Sequence, residues 1–461
     1  MKNKTSSGVA AFYASILAML LLPGCITSYQ SPNGTIPNCS EFVESSFFKK
    51  RELKYDADEL AAIQKIPWEV QDYEAEPPKS PIIIRYSDGG ELVNRCDYSA
   101  ALYAARSTLN EPSVPTVFVV YVHGWRIDSG PRNKLWYNFP DHVPQDALTA
   151  QEPQGGDLES FDAFLGELRE KMGTRERSEQ KPNVVGIFVS WKGGTKIPVL
   201  DYLSFWNRGA GADRLSRSGQ LSRLFGALEN IKKPNDQIIY IGHSFGARIL
   251  YSTVADRLTY DVQQAYNDEA NTYDLITRNR DLVLLINPAM EAAPNKTIDE
   301  FRFANTFHAD QAPLMMLLQS QTDWPNQSLF PLGNALALRL SKAERQSAGF
   351  WKPFRTHALR NIEESQVASS ARDEDSPWYD GLCIQRYCLD RDDDWSGLPA
   401  KNSPFLVVDV PASLLHLHGW FQVGERNRYF SDWLARFLDR HNCEVENAVD
   451  CDTAERWQLI R

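Results

Sequence analysis

The sequence has no surplus of positive charge. Its 49 Lys and Arg face 60 Asp and Glu, a formal net charge of −11, and the basic residues are dispersed. A nucleic acid needs a concentrated positive surface against its phosphates, so no nucleic-acid partner is expected. Short Cys-x-x-Cys pairs are also missing, and with them the ligand spacing of a structural zinc site. No metal and no cofactor is expected. No internal repeat is visible, which argues against a solenoid. The apolar run nearest the N-terminus, Val9 to Leu22, is roughly 14 residues, short of the ~20 that a membrane-spanning helix needs. What is present is a chain of 461 residues, 43% hydrophobic and 24% charged. That is enough for a sizeable core, and the length suits one large α/β domain with insertions.

Lys2 and Lys4 precede the apolar run, and Pro23, Gly24 and Cys25 follow it. A basic start, a short apolar stretch and a small residue describe a secretory signal over residues 1–24. The ending Leu22-Pro23-Gly24-Cys25 resembles a bacterial lipobox, whose Cys is lipidated and becomes the new N-terminus; Pro23 departs from the small or aliphatic residue usual there. The resemblance implies attachment to a membrane through a lipid on Cys25. No Asp follows Cys25, which by the same resemblance points to the outer membrane of a bacterial envelope, facing the periplasm or the surface. An ordinary signal peptide or an uncleaved anchor is the alternative. The six other cysteines then sit in an oxidising compartment, where they make up to three disulfides. Local pairing favours Cys383–Cys388 and Cys443–Cys451 and leaves Cys39–Cys96.

Residues 25–80 are rich in Ser, Pro, Asn and charge and read as a tether and N-terminal extension, with helical hints around Glu52–Lys65. From Pro81 short apolar runs begin: Pro81–Tyr86, Thr116–Val122, Val184–Val189, Gln237–Ile241, Leu282–Ile286, Leu314–Leu318 and Phe405–Val410. Continuous apolarity suits strands buried on both faces. Helical patterns lie between them, at Leu158–Met172, Gln220–Asn230, Arg248–Ala265 and Tyr429–Leu438. The alternation predicts an α/β domain over 81–440, a mostly parallel twisted sheet flanked by helices. Residues 324–403 are too many for one connection and read as an insertion, subdomain or lid before the last strand. Their aromatics Phe330, Phe350, Trp351 and Phe354 are expected in the core by default, or over a pocket. The acidic stretch Asp390, Asp392, Asp393, Asp394 reads as a solvated loop, and 441–461 as a tail.

Gly242-His243-Ser244-Phe245-Gly246 fits G-x-S-x-G, with a strand candidate directly before it and a helix candidate directly after. A sharp strand-to-helix turn needs Gly where side chains would clash, and it lifts the Ser244 hydroxyl to the sheet's C-terminal edge. The helix N-terminus aims its dipole at the same place. A serine hydroxyl needs a base, and the base needs an orienting acid. Asp323 follows the strand Leu314–Leu318 and is the expected acid, with Glu291 as the alternative; Asp310 lies between them. His418, before Gly419, follows the last strand and is the expected base, with His416 as the alternative. The oxyanion donors are expected from the amide of Phe245 and from Trp125, in the loop His123-Gly124-Trp125 after Thr116–Val122.

Together, Val117–Trp125, Gly242–Gly246, the Asp323 loop and the His418 loop resemble the α/β-hydrolase superfamily. The segments Phe188–Gly194, Leu203–Arg208 and Ile286-Asn287-Pro288-Ala289 are similar to a bacterial subgroup of hydrolases. The resemblance spans roughly 110 to 440 and implies hydrolysis of a small-molecule or lipid ester through a Ser244 acyl-enzyme. The fold hosts many activities. Acyl transfer or peptide cleavage on the same triad stays open, as does an envelope-anchored binding protein without catalysis.

Overall fold

The computed structural model describes residues 80–87, 89–92, 98, 101–102, 104–106, 108, 113–124, 157–172, 181–191, 205–276, 281–304, 306–308, 310–361, 379, 381–391, 402–419 and 425–445. The chain folds as α/β around a ten-stranded, mostly parallel sheet. Its strands are β1 (Ile82–Arg85), β2 (Thr116–Val122), β3 (Asn183–Ser190), β4 (Gln237–His243), β7 (Leu282–Ile286), β8 (Met315–Ser320), β9 (His357–Asn361), β10 (Leu382–Ile384), β11 (Tyr387–Arg391) and β12 (Phe405–Val410). A separate two-stranded ribbon pairs β5 (Tyr266–Asn267) with β6 (Thr272–Tyr273). The strand order across the large sheet is β1-β3-β2-β4-β7-β8-β12-β9-β11-β10. All pairings from β1 to β9 are parallel, and β9–β11 and β11–β10 are antiparallel.

The central strands are apolar without interruption because helices cover both faces. Along β2 the side chains alternate between two cores: Phe118, Val120 and Val122 belong to one, Val117, Val119 and Tyr121 to the other. On the first face lie α2 (Phe205–Arg217), α3 (Gln220–Ile231) and α4 (Phe245–Gln264). On the second, α1 (Asp157–Met172) packs against α8 (Glu425–Val445), burying Phe161, Phe164 and Leu168 with Trp433 and Phe437. Each such side chain stabilises the fold by about 1.5–3 kcal/mol. Glycines at 209 and 211 weaken the helical signal of α2, whose packing on α4 supplies what propensity does not.

The interval 324–403 is not simply laid over the domain. It holds a π-helical turn (Pro325–Leu329), α6 (Phe330–Leu336, after α5, Lys296–Ala304) and α7 (Lys342–Arg345), then adds β9, β10 and β11 to the sheet beyond β12. Phe330 and Phe354 are buried in the first core, and Trp351 packs against it. A disulfide joins Cys383 and Cys388 across the β10–β11 hairpin. Cys25, Cys39, Cys96, Cys451 and Asp392–Asp394 lie outside the described residues, as does the side chain of Cys443.

β2 and β4 are neighbours, and the chain leaves β2 for β3 on one side but leaves β4 for β7 on the other, so the connections from these two strands run in opposite directions. In open parallel sheets a crevice forms at the C-terminal ends where that happens, and ligands bind there. The residues after β2 and β4 are His123-Gly124 and Ser244.

Candidate active site

Ser244 is the single residue between β4 and α4. Its φ of 55° and ψ of −120° are a conformation that costs a non-glycine residue about 1–3 kcal/mol. Backbone bonds hold it there: the Ser244 N–H donates to Ile286 O at 3.0 Å, and its carbonyl accepts from Ala247 and Ala289, each at 3.1 Å. The turn also needs its glycines. A Cβ on Gly246 would run into the carbonyl oxygens of Val122 and His123, and one on Gly242 would stand 2.6 Å from the Cα of Ala247. Gly124 closes the other side, where a Cβ would be 2.9 Å from His243 Nδ1 and 3.0 Å from Ser244 Cβ.

The chain brings Ser244, His418 and Asp323 into one line. His418 Nε2 is 2.8 Å from Ser244 Oγ, and His418 Nδ1 is 2.8 Å from Asp323 Oδ1. A carboxylate only accepts, so Nδ1 donates to it, and Nε2 is left to accept the hydroxyl proton. Asp323 is fully buried, and three further donors converge on it. The Asn326 N–H reaches Oδ1 at 3.2 Å, while Gln319 Nε2 and Asn326 Nδ2 reach Oδ2 at 2.9 and 2.8 Å.

The loop that carries His418 is tied down from several directions. Ser320 Oγ donates to Leu415 O at 2.7 Å, and the Leu417 N–H donates to Thr322 Oγ1 at 3.0 Å. Asn287 Nδ2 donates to Gly419 O at 2.9 Å, and His243 Nε2 to His418 O at 2.9 Å. Sequence reasoning missed Asn287, Gln319, Asn326 and this role of His243. A faint signal existed for Asn287: Asn tolerates the left-handed backbone it adopts (φ 45°) directly after a strand.

Of the alternatives, Glu291 is engaged elsewhere. It pairs with Arg248 at 2.6 Å, and Arg248 also binds Asp213 at 2.6 and 3.1 Å. Burial alone would lower the Arg248 pKa; the two carboxylates reverse that and hold the guanidinium charged. His418, not His416, stands at Ser244 Oγ.

His123 is structural. The Trp191 N–H donates to its Nε2 at 3.1 Å, so the proton sits on Nδ1 and donates to Gly124 O at 2.8 Å. Trp191 Nε1 donates back to His123 O at 2.8 Å, which pins the loop to the end of β3. Burial pushes the His123 pKa down to about 4, so the ring is neutral. The Phe245 amide lies in the first turn of α4, where helix geometry points N–H groups and a partial positive charge outward. Trp125 lies outside the described residues.

A cleft of about 410 Å³ between Gly89, Ala210, Asp213, Arg214, Arg217 and Ser218 contains none of the three aligned residues. Among the described residues, no group of three or more His, Cys, Asp or Glu could hold a metal ion, and no helix is long and apolar enough to cross a membrane. Comparison with protein-family models, with curated proteins and with solved structures finds no match to this chain.

Proposed function

We propose that this chain is a serine hydrolase of the α/β-hydrolase fold that cleaves carboxylic esters through a Ser244 acyl-enzyme. The observation that carries the reading is the line Ser244 Oγ, His418, Asp323, with 2.8 Å at each junction. The chain order Ser, acid, His and the strained strand-to-helix elbow at the sheet's switch point support the fold assignment.

His418 Nε2 takes the Ser244 hydroxyl proton as Oγ attacks the ester carbonyl carbon. The carbonyl π pair moves to oxygen, and that oxyanion is met by the amide of Phe245, with the amide of Trp125 as the second donor. Collapse expels the alkoxide, which takes the proton from His418 and leaves as the alcohol. Water then repeats the sequence on the acyl-enzyme, releasing the carboxylic acid and free Ser244. Asp323 keeps His418 in the tautomer whose Nε2 can accept. The substrate is a small-molecule or lipid ester, and a lipid on Cys25 would hold the enzyme to a bacterial envelope membrane.

The test is turnover of p-nitrophenyl esters of increasing acyl length by the full chain and its Ser244→Ala variant. Wild-type protein should hydrolyse part of the series, and the variant should be slower by on the order of 10⁴ or more. Equal rates would remove Ser244 from the chemistry.

A further inference from the structure

The second position of the pentapeptide is not a free position in this chain. His243 ends β4, one residue before the nucleophile, and its ring reaches across to the loop that carries the base. Three consecutive carbonyls of that loop accept from side chains of the two neighbouring strand ends. His418 O accepts from His243 Nε2 at 2.9 Å, Gly419 O from Asn287 Nδ2 at 2.9 Å, and Leu417 O from the same Nδ2 at 3.4 Å. Within the loop, Leu417 sits at φ 54°, and the Gly419 N–H donates to His416 O at 3.2 Å.

Both donors have one possible orientation. A carbonyl only accepts, so His243 Nε2 must carry its proton. Burial first, and the nearby His418 second, hold the His243 pKa well below the ordinary 6.5, so the ring carries a single proton. Asn287 Oδ1 accepts from the Ser320 N–H at 2.8 Å and from Gln319 Nε2 at 3.2 Å, which leaves Nδ2 to face the loop. Its backbone carbonyl accepts from Asn326 Nδ2 at 2.9 Å, the same amide that binds Asp323. Asn287 therefore joins the acid loop to the base loop, and His243 registers the base to the nucleophile's own strand.

We infer that His243 and Asn287 are positioning residues, which set the distance from His418 Nε2 to Ser244 Oγ by holding the carbonyls of Leu417, His418 and Gly419. The inference rests on His418 being the base. Misplacement by about 1 Å can cost on the order of 10²-fold in rate, and His243 links the nucleophile's strand to the backbone of the loop that carries His418.

The experiment compares His243→Leu, His243→Gln and Asn287→Gly in the full chain, reading KI and kinact for a fluorophosphonate at Ser244 together with Tm. Leu fills a similar volume without a donor, Gln restores an N–H at similar reach, and Gly keeps the backbone of 287 while removing its amide. The Leu and Gly variants should lose about 10²-fold in kinact with KI unchanged, and Gln should recover most of it. Leu labelling at the wild-type kinact would overturn the inference, as would Gln and Leu being equally slow. If His243→Leu does not fold, the Asn287→Gly kinact decides. Wild-type protein that is never labelled would instead defeat the reading of Ser244 on which the inference stands.

Discussion

Replacing Asp323 by Asn separates the acid from its rival and exposes how the site is wired. Two oxygens of Asp323 receive four donors: His418 Nδ1 and the Asn326 N–H at Oδ1, Gln319 Nε2 and Asn326 Nδ2 at Oδ2. An amide offers one acceptor and one NH₂, so either orientation opposes two of those donors. If the carbonyl stays with Gln319 and Asn326, the NH₂ faces His418 and its Nδ1 must become an acceptor. The proton then sits on Nε2, toward Ser244, and the ring cannot act as a base. Reversal would turn Asn326 Nδ2 away from the carbonyls of Asn287 and Pro288, which it also binds. The wrong tautomer should cost about 10⁴-fold in turnover, a barrier rise of about 5.5 kcal/mol. The assay is ester turnover and the rate of fluorophosphonate labelling, with circular dichroism to show that the variant folds. An Asp323→Asn protein that is folded and within tenfold of wild type would refute the assignment of the acid.

Glu291→Gln should behave differently. It weakens the pair with Arg248 and costs stability, about 1–3 kcal/mol by denaturant titration, while labelling of Ser244 stays at the wild-type rate. A loss of labelling with stability intact would return Glu291 to the acid role. Acid should also unfold the protein through its buried histidines. Burial pushes His123 and His441 down to about 4 from the ordinary 6.5, so between those values the unfolded chain binds protons that the folded chain refuses. Stability then falls as pH drops from about 6.5 to about 4, by on the order of 3 kcal/mol per histidine. His441→Gln should flatten that slope in denaturant midpoints measured against pH; an unchanged slope contradicts the assignment.

The parts of the fold that were legible in the sequence are those where one physical demand dominates. β2, β3, β4, β7, β8 and β12 announce themselves because burial on both faces requires unbroken apolar runs. β9 and β11, reading His-Ala-Leu-Arg-Asn and Tyr-Cys-Leu-Asp-Arg, lie toward the sheet's edge, where mixed polarity hides a strand. The aligned Ser244, Asp323 and His418 were readable because each follows a recognisable strand. Their supports were not. An amide such as Asn287, Gln319 or Asn326 acquires its partners only when distant loops meet, and no local pattern records that. Glu291 illustrates the converse: it too follows a strand, but the fold hands it to Arg248.

A nucleophilic Ser244 should be trapped as a covalent adduct. Full-length protein is treated with a fluorophosphonate, quenched in acid, digested and read by peptide mass spectrometry. One adduct is expected, on the peptide containing Ser244, absent from Ser244→Ala and slowed in Asp323→Asn. Folded wild-type protein with no adduct, or with the adduct on another residue, would contradict that role for Ser244.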